Sequence, residues 1–90
     1  MVQFPFEQKI EKNKIIRTFS PSVDSEELKW HQDEKDRIVK IVEDGGWSFQ
    51  MEDSLPDKLS KSKIIHIPKF VWHRVIKGTQ ELVVEIEELD

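Results

Sequence analysis

Short runs of apolar residues, separated by turn residues, recur along the whole chain. Residues 15–19, 38–42 and 64–67 form three such runs, and Trp47, Phe49 and Met51 alternate with polar neighbours. Strict alternation is the period of a strand with one buried face. Several short strands at this spacing predict an all-β protein, either a small antiparallel sandwich or a barrel.

The last third of the chain predicts a closing hairpin. Residues 70–76 form an apolar run, 77–80 contain Gly78, and Leu82, Val84 and Ile86 alternate with polar residues. Gly78 and the Asp44-Gly45 pair supply the backbone freedom that tight turns require.

A competing prediction is one long helix over residues 25–44. Asp24 is followed by Ser25-Glu26-Glu27, which resembles a helix start, and Gly45 could end the helix. However, residues 31–37 contain no apolar side chain, whereas a helix packed on a core needs three or four over about two turns. We therefore expect a short turn at 24–29, then a loop, then a strand.

Composition narrows the class of protein. The 90 residues are 37% hydrophobic and 36% charged, with three Trp and five Phe, so we expect one folded domain spanning residues 1–90. A net charge of −4 disfavours nucleic acid and anionic membranes as partners. The N-terminus has no long apolar run, so we expect a cytoplasmic protein. The chain has no cysteine, so a metal would be held by His, carboxylate or water.

Two segments carry the candidate chemistry. The first runs from Trp30-His31-Gln32-Asp33 through Arg37 to Gly45, and the second runs from Ser62 through Pro68 and Phe70 to His73. They resemble the two short motifs of the cupin family. The first motif there is His-x-His, three or four residues, Glu and a later Gly; the second is Gly, five residues, Pro-x-Gly, two residues and His. Here Ser62 and Phe70 stand where the second motif has glycines.

The resemblance spans roughly residues 26–86 and implies a small antiparallel jelly-roll barrel. Many cupins hold one divalent metal with the His and Glu residues of both motifs. Carried over by position, His31 and His73 match ligands, Asp33 replaces the second His, and Arg37 stands in the position of the Glu.

Three interpretations of the site stay open from the sequence. In the first, His31, Asp33 and His73 hold iron(II), manganese or zinc, and Asp36 could also approach the metal. The guanidinium of Arg37 would disfavour such a site. At about 5 Å it would repel a divalent ion by roughly 6–7 kcal/mol at an effective dielectric constant of about 20. An enzyme built on such a site would be an isomerase, lyase or dioxygenase.

In the second interpretation, a metal-free pocket binds a small anion. Arg37 would offer a bidentate fork, Asp33 or Asp36 would hold it in place, and Gln50 would contribute if its side of the strand lines the pocket. In the third, the histidines and the Arg37–Asp33 pair are structural, and the protein is a non-catalytic oligomeric scaffold.

A homodimer is also expected. A barrel this short has exposed strand edges, and the apolar residues within 2–6 have no obvious partner in their own chain. We expect residues 1–19 to form an N-terminal strand segment that exchanges between two copies.

Overall fold

The computed structural model describes residues 6–22 and 28–89, with side chains described from residue 8 onward. Its eight strands are β1 (Phe6–Glu11), β2 (Lys14–Phe19), β3 (Asp36–Glu43), β4 (Ser48–Met51), β5 (Asp57–Lys58), β6 (Ile64–Ile67), β7 (His73–Ile76) and β8 (Leu82–Leu89). One sheet has the order β1-β2-β8-β3-β6 and the other β5-β4-β7, and all pairings are antiparallel. The prediction of an all-β antiparallel barrel is confirmed.

Alternation along the strands builds the core between the two sheets. In β8, the central strand of the larger sheet, the inward residues Leu82, Val84 and Ile86 are buried. Trp47 and Phe49 close the core from the smaller sheet's side. Inward apolar and outward polar residues therefore follow the period of two that the sequence shows.

The strand predicted from the apolar run 38–42 begins two residues before that run. β3 starts at Asp36, so a helix over 25–44 is excluded, and residues 32–35 form a loop before it. The turn expected at 24–29 lies mostly outside the described residues. Among those described, no helix is long and apolar enough to cross a membrane.

The predicted closing hairpin is wrong. β7 pairs with β4 in the smaller sheet, whereas β8 pairs with β2 and β3 in the larger one. The connection between them instead docks on the turn after β3: the backbone N–H groups of Thr79 and Gln80 both donate to the carbonyl of Gly45, at 3.0 and 3.1 Å. A Cβ on Gly78 would collide with the Gly45–Trp47 backbone. Gly78 thus permits a close crossing between sheets rather than a hairpin turn.

The two positions where the resemblance expects glycine both have left-handed backbones. Ser62 has a φ of 73° and Phe70 a φ of 63°. A left-handed conformation costs a non-glycine residue about 1–2 kcal/mol. The backbone requirement of the second motif has therefore been kept although its glycines have not.

This strain predicts that Ser62→Gly raises the free energy of unfolding by about 0.5–1 kcal/mol. Relief of the left-handed strain exceeds the extra chain entropy that glycine brings to the unfolded state. Urea unfolding measures the change, and Ser60→Gly in the same loop is the matched control, because Ser60 does not have a positive φ. Equal destabilisation by the two substitutions would contradict the assignment.

Candidate metal centre

A reciprocal pair of backbone hydrogen bonds places the two motifs against each other. His31 N–H donates to the His73 carbonyl at 3.0 Å, and His73 N–H donates to the His31 carbonyl at 2.9 Å. The carbonyl of Asp33 then accepts from the Phe70 N–H at 2.8 Å. These bonds pack the polar loop before β3 against the segment that precedes β7.

The side chains of His31, Asp33 and His73 meet at one point. Each offers one ligand atom, and these atoms all lie within 4.8 Å of one another. Nε2 of His73 lies 3.1 Å from Oδ2 of Asp33, and the two imidazole rings have centroids 4.2 Å apart. The structure therefore brings together the three residues predicted as metal ligands, from positions up to 42 apart in the sequence.

Both imidazoles are oriented by a hydrogen bond from Nδ1 to the carbonyl two residues upstream. Nδ1 of His31 lies 2.9 Å from the Lys29 carbonyl, and Nδ1 of His73 lies 2.9 Å from the Val71 carbonyl. A carbonyl oxygen can only accept, so each Nδ1 carries the hydrogen. In the neutral ring, Nε2 then presents its lone pair to the cluster. Metal-binding histidines are held in this way, with the other ring N–H donated to a carbonyl or carboxylate.

The two oxygens of Asp33 have different surroundings. Oδ1 pairs with Nη1 of Arg37 at 3.3 Å. Oδ2 is buried and accepts no hydrogen bond of good geometry among the described residues, although His73 Nε2 is close. A neutral His73 has no hydrogen on that nitrogen, so proximity alone does not make a bond; a protonated His73 would donate to Oδ2.

Electrostatics keep Asp33 ionised. Burial on its own raises the pKa of this carboxyl, but the close approach of the His73 ring and then the charge of Arg37, with those of the two imidazoles when protonated, outweigh burial. The pKa therefore lies below its ordinary value.

Arg37 faces inward and is compensated by two carboxylates. Its side chain is only 14% exposed, and Nη2 lies 3.2 Å from Oε2 of Glu88 while Nη1 contacts Asp33. The repulsion expected of an isolated guanidinium is thus offset. Glu88 was not predicted as a site residue from the sequence. The signal was present, because Glu88 continues the alternation of Leu82, Val84 and Ile86 and so lies on the same side of β8.

Asp36 and Gln50 are not brought to the cluster. Oδ1 of Asp36 accepts from the Lys69 N–H at 2.7 Å, and its other oxygen lies 4.0 Å from the exposed His66 ring. Gln50 Oε1 accepts from Nε of Arg74 at 2.9 Å, on the outer face of β4 and β7. The geometry gives no support to either as a ligand-binding residue.

Comparison with solved structures defines the class of fold. KdgF from Halomonas sp. matches with a TM-score of 0.74 at 19% identity, over 98% of this chain and 83% of that one. A cupin domain from Bordetella pertussis Tohama I matches with a TM-score of 0.65 at 21% identity, over 100% of both chains. DMSP lyase DddQ from Ruegeria pomeroyi matches with a TM-score of 0.64 at 17% identity, over 86% of this chain.

The chain adopts the cupin fold, an antiparallel double-stranded β-helix. It spans only 37% and 38% of the lengths of two DMSP-lyase structures that it matches. No protein-family model matches the sequence, and no curated protein matches it significantly.

The pairing of Asp33 predicts a pH-dependent contribution to stability. At neutral pH, we expect Asp33→Asn to lower the free energy of unfolding of the metal-free protein by about 2 kcal/mol, the typical contribution of a hydrogen bond to a charged group. The folded pKa lies below the unfolded value of about 3.9, so this contribution is complete above about pH 5 and is lost as the pH falls through the folded pKa.

Urea unfolding of both proteins between about pH 7 and pH 3 measures the difference. The gap between wild type and Asp33→Asn should narrow towards acid, and a gap that widens would contradict the pairing. Glu34→Gln removes one negative charge from an exposed position of the same loop and should change stability by less than about 0.5 kcal/mol.

Proposed function

We propose that this chain is a small-molecule-binding cupin domain that holds one divalent metal ion with His31, Asp33 and His73. One observation carries the proposal: two imidazole nitrogens with fixed orientation and one ionised carboxylate oxygen converge on a single buried point. Neutral imidazoles and a carboxylate are all electron-pair donors. A shared cation is what makes such a cluster favourable in a buried place.

The donor set fits the metal that the fold implies. Two histidines and one carboxylate form the facial triad of iron(II) sites, and manganese or zinc suit the same donors. When bound, the ion would polarise an oxygen of the ligand as a Lewis acid. Three protein ligands leave coordination positions for that oxygen.

The surrounding residues have supporting roles in this proposal. The carbonyls of Lys29 and Val71 hold the two rings, and Arg37 holds Asp33 through Oδ1 so that Oδ2 stays directed at the histidines. Glu88 balances the charge of Arg37. Among enzymatic reactions, likeness to a DMSP lyase makes lyase chemistry the first class to assay.

Metal-free binding of an anion by Arg37 is the second candidate. It is the weaker one, because both Asp33 and Glu88 already engage this guanidinium. A non-catalytic scaffold is the third, and it requires that neither metal nor anion binds.

Metal binding is tested on protein purified without an affinity tag. We expect near-stoichiometric iron, manganese or zinc by elemental analysis, and a fall to background in His31→Ala and in His73→Ala. Manganese titration of the apoprotein by calorimetry should show at least a hundredfold loss of affinity in each variant, since one of three protein ligands is removed.

His66→Ala is the matched control, because this ring is 59% exposed and points away from the cluster. It should bind metal as the wild type does. Absence of binding for all three metals would overturn the proposal. In that case, a rise in melting temperature with phosphate or citrate would support the anion pocket, and no rise would support the scaffold.

We also propose that the protein forms a homodimer through β1. This strand lies at the edge of the larger sheet next to β2, and Ile10 on it is 68% exposed. An exposed edge strand with apolar side chains favours pairing with a second copy. Residues 1–5 of the expected exchanging segment lie outside the described part of the chain.

Light scattering coupled to size exclusion measures the mass. We expect a dimer for the wild type and a shift towards monomer for Ile10→Lys. Leu55→Lys should leave the dimer intact, because Leu55 is 88% exposed but lies between β4 and β5 of the smaller sheet. A wild-type monomer mass that does not change with concentration would refute the dimer.

A further inference from the structure

A small cavity lies inside the barrel, between the two sheets and next to the metal cluster. It has a volume of about 50 Å³ and fourteen lining residues, of which eleven are apolar. These eleven belong to the core or pack against it. The other three are Arg17, Arg37 and His73, so the polarity of the cavity depends on what these three side chains bind.

The backbone adds little polarity to the cavity. All lining residues except Leu59 lie in strands, and the N–H group of Leu59 donates to the carbonyl of Trp47 at 3.0 Å. The N–H and C=O groups of a strand point towards neighbouring strands within the sheet, whereas side chains fill the space between two sheets. The walls that face the cavity are therefore mostly hydrocarbon.

His73 and Arg37 direct their polar atoms to other partners. Nδ1 of His73 donates to the Val71 carbonyl, and its Nε2 lies next to Oδ2 of Asp33. The guanidinium of Arg37 contacts the carboxylates of Asp33 and Glu88. None of these three partners lines the cavity.

Arg17 is also engaged. Its Nε group donates to the side-chain oxygen of Gln8 on the neighbouring strand β1, at 2.7 Å. Among the described residues, no buried side-chain nitrogen or oxygen that lacks a hydrogen bond belongs to a residue lining the cavity. The lining therefore presents no buried polar atom that needs a partner inside the cavity.

The cavity is large enough for water but does not suit it. An enclosed water needs about 10–15 Å³ on this measure, together with about two to four polar partners. The volume meets the first condition, and the lining does not meet the second. Apolar cavities of this kind stay dry and bind xenon or small apolar molecules.

We infer that this cavity binds a small uncharged apolar molecule, such as dioxygen or a very short hydrocarbon, beside the metal position. The volume limits that molecule to about three to five non-hydrogen atoms. His73 borders both the cavity and the metal cluster, so the bound molecule lies next to the ion that the cluster would hold. Its role as a ligand or co-substrate of the domain rests on the proposed function.

The test uses the full chain, free of metal, and follows methyl signals by ¹H–¹³C NMR. Xenon should shift the methyl signals of Ile41, Leu82 and Val84 in a saturable way. Dissolved dioxygen is paramagnetic, so it should increase the relaxation rates of these methyl groups more than those of Ile15. Ile15 is the matched control, because it packs against the core but does not line the cavity.

Three further probes define the class and the size of the ligand. Acetate and acetamide should give no saturable shift, because each would bring polar atoms into the cavity without partners. Propane should shift the same methyl signals if the cavity takes hydrocarbons, and should not if it takes only molecules of the size of dioxygen. Either result with propane supports the inference and sets the size limit.

Val84→Ile adds one methyl group to the lining and should weaken xenon binding about fivefold or more, since the interior is already close-packed around the cavity. Val83→Ile makes the same change on the opposite face of β8 and should leave xenon binding unchanged. The wild-type measurements need no variant, so they stand even if Val84→Ile does not fold. The inference is overturned by the absence of a saturable xenon shift, by equal relaxation of Ile15 and the cavity methyl groups, or by saturable binding of acetate or acetamide.

Manganese calorimetry on the same proteins separates this inference from the metal proposal. Val84→Ile should retain wild-type manganese affinity while its xenon binding falls. If manganese never binds but xenon binds in the cavity, the metal proposal fails alone. If manganese binds and xenon does not, only the inference about the cavity is lost.

Discussion

The site depends on the pair of backbone hydrogen bonds that His31 and His73 exchange. An antiparallel pair of this type fixes the distance and the common side of its two residues. Their rings are then held by the carbonyls two residues upstream, at Lys29 and Val71, so each Nε2 points the same way. The fold thus defines the position of this three-residue cluster through main-chain geometry, with Asp33 added from the loop that this pairing orders.

Arg37 stands where the cupin motif has a Glu, so the charge around this cluster differs from that of the motif. Arg37 does not repel the cluster unopposed, because Asp33 and Glu88 flank it. With a divalent ion bound, these three side chains and the ion leave one net positive charge. That excess would favour a negatively charged ligand. The substitution that made a metal site doubtful from sequence therefore also suggests what such a site would bind.

Most of the fold could be predicted from the sequence because apolar inward and polar outward residues alternate along the strands. The candidate metal ligands could also be predicted, since this chain keeps the spacing of the two motifs. Prediction from the sequence failed where the information is three-dimensional. Turn chemistry at Gly78 does not tell a hairpin from a crossing between sheets, which depends on the docking of 77–81 against Gly45. Gln50 lies on the outer face of β4, and the sequence alone does not show that Glu88 lies opposite Arg37 and pairs with it.

The tautomers of the histidines test the central claim most directly. Long-range ¹H–¹⁵N NMR of the imidazoles in the metal-free protein, at a pH where the rings are neutral, distinguishes hydrogen on Nδ1 from hydrogen on Nε2. We expect the Nδ1–H form for both His31 and His73, and a selective shift of their Nε2 signals on addition of zinc, with His66 unaffected. The Nε2–H form at either position, or no response of either Nε2 to zinc, would contradict the claim.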